Sequence, residues 1–305
     1  MKYRAVILSP HLDDAVFSCG GRIASLVTEG PVLVLNLFTE FPEQIKSRAV
    51  VLGPERYEEE SRAARLLGFE SENLHKVDAS CRREAYRAIS NVFRPPVGED
   101  TGAFLEALRR KVLTRLEGVD FDEIYVPLAI GWHVDHLLTF FLGEAWWGDP
   151  RLRLYEDAPY CYVDRAAAAR LADLSPEDEA AVPLPGRLRT AWDAMRSYAS
   201  TAIMKHLEPW PVRLAAVPVT GVYFYRLLGQ HRRDPCFADR WRLAPDVDIL
   251  DHRADIKVDA MMCYASQFRE FFDGRDDCQR QQMAYAAEVT GDRAAVERFW
   301  RLIAR

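Results

Sequence analysis

What this chain lacks narrows it first. It has no Cys-x-x-Cys pair, and its six cysteines, Cys19, Cys81, Cys161, Cys236, Cys263 and Cys278, stand far apart. That spacing suits neither a structural zinc site nor a small disulfide framework. They read as mostly reduced, core or half-buried thiols of a cytoplasmic protein. The first strand-like run is not followed by Gly-x-Gly-x-x-Gly, and Gly20-Gly21 comes too late to cradle a phosphate. No block of like charges forms a tail. A net charge of -6 leaves no basic footprint for broad nucleic-acid binding. The longest apolar region, Val212 to Leu228, is broken by Pro218 and carries Arg213 and Arg226, so it falls short of a membrane span. Met1-Lys2-Tyr3-Arg4 opens onto too few apolar residues for a signal-peptide core. Histidine is scarce as well, with seven in the chain.

What is present is an ordinary soluble composition, 49% hydrophobic and 28% charged, in a chain long enough to bury a large core. The first half alternates strand and helix signals. Ala5 to Leu8 predicts a buried strand, and a helix follows from Asp13 to about Thr28, stopped by Gly30. Pro31 to Phe38 is a continuous apolar run of the kind buried on both faces of a parallel sheet. Helices are expected at Glu55–Leu67, Gly102–Leu116 and Asp135–Trp147, and strands at Leu74–Val77, Glu123–Leu128 and Leu152–Tyr155. This alternation predicts an α/β, Rossmann-like fold, a mostly parallel sheet with flanking helices. A largely helical insertion is expected at about 165–240 in the C-terminal half, placed to cover the active edge. Strand character returns at Trp241–Leu250, and Lys257–Phe272 and Gln279–Ile303 read as closing helices. Residues 1–305 are expected to form a single domain.

Two motifs carry the chemistry. Pro10-His11-Leu12-Asp13-Asp14 follows the first strand, and Gly131-Trp132-His133-Val134-Asp135-His136 follows the run Ile124 to Ile130. Carboxyl ends of parallel strands share one sheet edge, where ligands bind, so residues about 120 positions apart can meet around one ion. Imidazole and carboxylate suit zinc. Asp13 or Asp14 could instead cap the helix that starts there, which accounts for neither His11 nor the second acid. His133 and His136, three apart, share a helix face if that segment is helical. Asp135 could orient a histidine or cap a helix. Three of the seven histidines fall in these two motifs, which makes chance a poor account.

Together the motifs resemble the LmbE-like/PIG-L family of zinc-dependent N-deacetylases, with weaker matches at Arg56, Glu59, Ala63 and Leu67-Gly68, at Tyr155 to Tyr160, and at Tyr264 to Gln267. The resemblance spans about residues 4–160 and 241–270. It implies His11, Asp14 and His136 as ligands of Zn2+ or another divalent metal. It implies Asp13 as general base, and His133 as an electrophilic or acid group held by Asp135. Arg56 would contact substrate. The chain departs from the family pattern at Ala15, where Glu is common, and at Gly131, where some members have Tyr.

The implied reaction removes an acyl group, acetyl first among them, from the amine of an amino sugar or a glycosylated small molecule. The alternatives are a zinc amidase acting on a thiol conjugate or secondary metabolite, and a non-catalytic α/β ligand-binding module. Trp132, Tyr160, Trp192, Trp210, Tyr223 and Tyr225 could stack on a sugar or fill the core, and Trp146-Trp147 is expected to pack on the sheet or a partner subunit. The expected partner is a small N-acylated molecule containing a sugar, with no nucleic acid and no membrane span. A homo-oligomer is left open.

Overall fold

The computed structural model describes residues 2–42, 55–86, 92–93, 95–175, 183–199, 210–228 and 235–305. A seven-stranded sheet runs in the order β3-β2-β1-β4-β5-β7-β6. Its strands are β1 (Lys2–Ser9), β2 (Val32–Glu40), β3 (Glu70–Val77), β4 (Asp120–Pro127), β5 (Leu152–Tyr155), β6 (Trp241–Ile249) and β7 (Val296–Ala304). The five strands of the first half are parallel. β7 runs antiparallel to both β5 and β6. β1 and β2 are buried almost throughout, as expected of strands covered on both faces. The predicted α/β sheet with flanking helices is therefore what forms.

The chain moves outward from β1 to β2 and β3, then returns to place β4 on the other side of β1. That reversal is the switch point at which ligand crevices form in doubly wound sheets. Register pairs Ile7 with Tyr125, so both strands end together and release their following loops side by side.

The helices are α1 (Asp14–Leu26), α2 (Glu55–Leu67), α3 (Ala79–Arg82), α4 (Ala103–Leu116), α5 (Val134–Leu142), α6 (Ala166–Leu174), α7 (Leu184–Ala199), α8 (Trp210–Leu227), α9 (Pro235–Ala238), α10 (Arg253–Met262), α11 (Ala265–Phe271) and α12 (Arg275–Thr290). Among the described residues, helices α6 to α9 lie in the stretch between β5 and β6, where a helical insertion is predicted. Helix α1 packs closely on α10. A Cβ on Gly20 would lie 3.0 Å from Lys257 Cγ, and one on Gly21 would lie 2.4 Å from Leu250 Cδ2, so the glycine pair serves helix packing. Across the same contact, buried Glu297 of β7 accepts from Lys257 Nζ at 2.8 Å and from the N–H groups of Gly21 and Arg22, each at 2.8 Å.

Two expectations about the C-terminal region need correction. The helix predicted over Gln279–Ile303 ends at Thr290 with Gly291 in the left-handed region at φ +78°. Residues after Ala295 form β7 instead, because Val296, Phe299 and Trp300 bury themselves between β5 and β6. Lys257–Phe272 is two helices, broken at Cys263-Tyr264, where Tyr264 leaves helical geometry and buries its ring. Trp147, half-buried, packs its ring against Phe140 of α5 and Phe237 of α9, helices rather than the sheet face expected for it.

Candidate active site at the carboxyl edge

The loop after β1 turns sharply because Ser9 ties it. Ser9 Oγ donates to His11 O at 2.5 Å and accepts the N–H of Ala15 at 3.1 Å. Ser9 thereby takes a donor at the start of α1, leaving both aspartates to other partners. Asp13 occupies the N-cap position but makes no side-chain cap bond, so the capping interpretation of that residue fails.

Asp14 Oδ2 is the meeting point. It accepts from His11 N at 2.9 Å, lies 2.9 Å from His11 Nδ1 and lies 3.2 Å from His136 Nε2. His136 arrives on α5, which starts immediately after His133. Ring nitrogens of His11, His133 and His136 also come within 4.8 Å of one another. The two motifs, far apart in sequence, thus form one buried cluster.

Each ring that meets Asp14 is held by a carboxylate on its other nitrogen. His136 Nδ1 is 2.6 Å from Asp157 Oδ1, and Asp157 Oδ2 accepts from Ile130 N at 2.8 Å. His11 Nε2 lies 3.3 Å from both Asp78 Oδ2 and Asp135 Oδ2. Asp78 is braced by the Ser80 N–H and hydroxyl at 2.8 and 2.6 Å. A carboxylate behind each imidazole is the usual arrangement around a metal-ligating histidine. The donors facing inward, two imidazole nitrogens and a carboxylate oxygen, are of the type zinc takes.

Asp135 corrects one expectation. Its carboxylate does not hold the His133 ring; it is committed to His11, to Ala79 N at 2.9 Å and to Arg82 Nη2 at 2.7 Å. His133 instead caps α5, its Nδ1 accepting the Asp135 N–H at 3.2 Å. Burial, reinforced by the nearby His11 and His136, pushes the His133 pKa down to about 3. The ring is therefore neutral near pH 7, with its hydrogen on Nε2, which suits the electrophilic role rather than the acid one.

Arg56 is tied into the centre itself. It is 3% exposed, and its Nη2 donates to Asp13 Oδ1 at 2.8 Å while its guanidinium lies over Phe41. It is a partner of Asp13 before it is a contact for anything else. Burial pushes the Asp13 carboxyl above the usual range; Arg56 pulls it back and the Asp14 charge adds to the rise. Burial works against charge on His136, yet Asp14 and Asp157 outweigh it and raise its pKa to about 9. Asp14 moves the opposite way: burial would raise it, and His136 and His11 hold it well below the usual carboxylate range.

The loop feeding His133 is held in an unusual backbone. Ala129, Gly131 and Trp132 all have positive φ. Trp132 Nε1 donates to Asp173 Oδ2 at 2.7 Å and Arg170 Nε to Leu128 O at 2.9 Å, so α6 fixes this turn. A Cβ on Gly131 would lie 2.8 Å from Tyr160 Cγ. The Tyr160 ring therefore fills the space a side chain at 131 would take, with its centroid 5.7 Å from that of His136. Phe93 packs on His133 and Tyr223, at 5.5 and 4.9 Å. Trp192 is exposed, and the side chain of Trp210 lies outside the described residues.

Asp78, Asp157 and Arg82 escaped the sequence reading. Asp157 lies inside the Tyr155–Tyr160 segment already noted, whereas Asp78 and Arg82 carry no local signal beyond following a strand.

Buried His and Asp side chains on the carboxyl edge of a doubly wound sheet, each ring braced from behind, define a candidate metal centre. Residues 6–147 match the PIG-L family model, described as GlcNAc-PI de-N-acetylase. The 2'-N-acetylparomamine deacetylase of Streptomyces fradiae is 33% identical over 166 residues, 52% of this chain. The match takes in 57% of that relative's own length. Among solved structures, the A40926 pseudoaglycone deacetylase superposes with a TM-score of 0.60 at 20% identity, covering 98% of this chain and 97% of that one. The zinc-inhibited form of a teicoplanin deacetylase gives 0.62 at 18% identity, covering 100% and 99%. These structural matches establish a shared fold over the full chain. Among the described residues, no helix is long and apolar enough to cross a membrane.

Proposed function

We propose that this protein is a metal-dependent N-deacetylase that hydrolyses the linear amide of an N-acylated amino sugar or glycosylated small molecule. The observation that carries this reading is Asp14 Oδ2 standing between His11 Nδ1 and His136 Nε2. His11, Asp14 and His136 would hold the ion, zinc being our assignment within a donor set open to other divalent metals. When bound, the ion supplies a Lewis acid and a water acidic enough to react near neutral pH.

The chain's own groups do the rest. Asp13 takes the proton of the attacking water. Arg56 anchors one of its oxygens and fixes its direction, and burial keeps its pKa high enough to pass the proton on to the departing amine. His133 donates from Nε2 as a neutral imidazole to the oxygen where negative charge develops. Asp157 keeps the His136 hydrogen on Nδ1, and Asp78 and Asp135 keep that of His11 on Nε2. Arg56 meets substrate only at the edge it leaves beside Asp13. Helices α6 to α9 are assigned as the cover of this edge within a single domain. Tyr223 of α8 supports that assignment, lying against Phe93 and 3.5 Å from Gly131 O. The amino-sugar substrate class rests on the paromamine relative, and the proposed compartment is the cytoplasm, on cysteine usage.

The test is metal content of the purified protein with His136→Ala, followed by amine release from a panel of N-acetyl amino sugars. About one zinc per chain, lost in His136→Ala, together with an Asp13→Ala variant that keeps zinc but loses roughly 10²–10⁴ in turnover, would support the reading. Protein that neither contains nor is stabilised by metal, or an Asp13→Ala enzyme near wild-type turnover, would overturn it.

A further inference from the structure

Behind the candidate centre, Asp135 joins a second, largely buried charge network. Asp135 and Asp100 are both 0% exposed, and Arg82 lies between them. Every guanidinium nitrogen of Arg82 is committed: Nη2 to Asp135 Oδ1 at 2.7 Å, Nε to Asp100 Oδ2 at 2.9 Å and Nη1 to Val77 O at 2.8 Å. Its flat group is walled by the rings of Phe38, Phe104 and Tyr86, at 4.9, 5.0 and 5.8 Å. Arg83 Nε holds the other oxygen of Asp100 at 2.9 Å. An arginine so enclosed cannot change rotamer without breaking three bonds, and no lysine could reproduce its planar fork.

The consequence falls on His11. With Oδ1 of Asp135 tied to Arg82, Oδ2 is the oxygen presented to His11 Nε2 and to Ala79 N. His11, Asp78 and Asp135 by donor type also suit a metal, but the Arg82 cation already bonds Asp135 of this group. The geometry points to Arg82 as a positioning residue, which by orienting Asp135 fixes the His11 ring so that its Nδ1 edge faces Asp14. Its effect on metal binding rests on the function proposed above; its effect on the His11 ring does not.

The experiment is a double-mutant cycle with Arg82→Met and Asp135→Asn, read in two ways. Zinc dissociation constants come from chelator competition. The His11 ring is followed by nitrogen-15 NMR of histidine-labelled, metal-free protein, its Nε2–H signal assigned by loss in His11→Gln. Arg82→Met is expected to weaken zinc about 10–100-fold, and Arg82→Lys less, since it restores charge without the fork. The double variant should fall well short of the product of the single effects, because both act through one carboxylate. The His11 Nε2–H signal should shift in Arg82→Met. Multiplicative losses in the cycle, or an unmoved His11 signal, would overturn the proposal, since a merely structural arginine would produce those results. If Arg82→Met fails to fold, the same cycle is run with Arg82→Lys. If the wild-type chain takes up no zinc, the deacetylase reading falls by itself. The His11 signal of the metal-free protein then decides the positioning role alone.

Discussion

Replacing Asp157 by asparagine changes one atom and cannot satisfy both of its partners. One carboxylate oxygen faces His136 Nδ1 at 2.6 Å, and the other accepts the Ile130 N–H at 2.8 Å. Both neighbours are donors in the arrangement that leaves the His136 Nε2 lone pair free for a metal. An amide has one accepting end. If its oxygen stays on Ile130, the NH₂ faces Nδ1, which must then accept, and the ring hydrogen moves to Nε2, where it opposes a metal. If the amide flips, NH₂ confronts the Ile130 N–H and a buried donor goes unpaired, at a cost of about 1–3 kcal/mol. Either way a charge-assisted bond is lost. Partners of this kind change metal affinity about 10–100-fold, which is about 1.4–2.7 kcal/mol. Zinc dissociation constants of wild type and Asp157→Asn, measured by competition with a fluorescent chelator, should differ by that factor. Affinities within about twofold would refute the tautomer argument, since the predicted minimum is about tenfold.

Three further outcomes follow from features elsewhere. Gly131→Ala should lose activity and melt lower, because Gly131 has φ +92° and the added Cβ would lie 2.8 Å from Tyr160 Cγ; an unchanged melting temperature would show that Tyr160 yields freely. Glu297→Ala strands the Lys257 ammonium and two helix N–H groups, a loss of about 3–5 kcal/mol. For a chain of 305 residues that corresponds to a thermal midpoint lower by roughly 5–8 °C; a drop under about 2 °C would count against the buried pair. Burial pushes the Cys278 thiol from 9.0 up to about 12. A raised acid pKa contributes stability that is complete below about pH 9 and is lost as pH climbs toward 12. Urea midpoints should therefore fall over that range, less steeply in Cys278→Ala, and equal slopes would exclude the thiol as a cause.

The parts of the site legible in the sequence are those written as local motifs. His11, Asp13 and Asp14 sit in one turn, and His133 and His136 on one helix start, so spacing alone groups them. Their convergence also followed from sequence, because parallel strands share an edge. Asp78 is a single acid after a strand, with nothing in its neighbours to separate it from a surface carboxylate, and the segment that holds Asp157 gives no sign that this acid reaches a histidine. The partner of Asp135 was misjudged because proximity in sequence favoured His133, whereas the fold brings the loop after β1 and helix α3 against the start of α5. β7 was missed for a related reason. Its nine residues follow a helix and contain good helix formers, and only the flanks of β5 and β6 make it a strand. Pairing partners distant in sequence override local preference.

His11, Asp78, His136 and Asp157 follow four different strands, β1, β3, β4 and β5. The His11–Asp135 contact alone closes a separation of 124 residues. No fragment short of these four strands contains the constellation, so the centre assembles late, after slow non-local pairing is complete. Metal supplied during refolding should therefore leave the folding rate unchanged and act on the unfolding rate, lengthening the lifetime of the finished molecule.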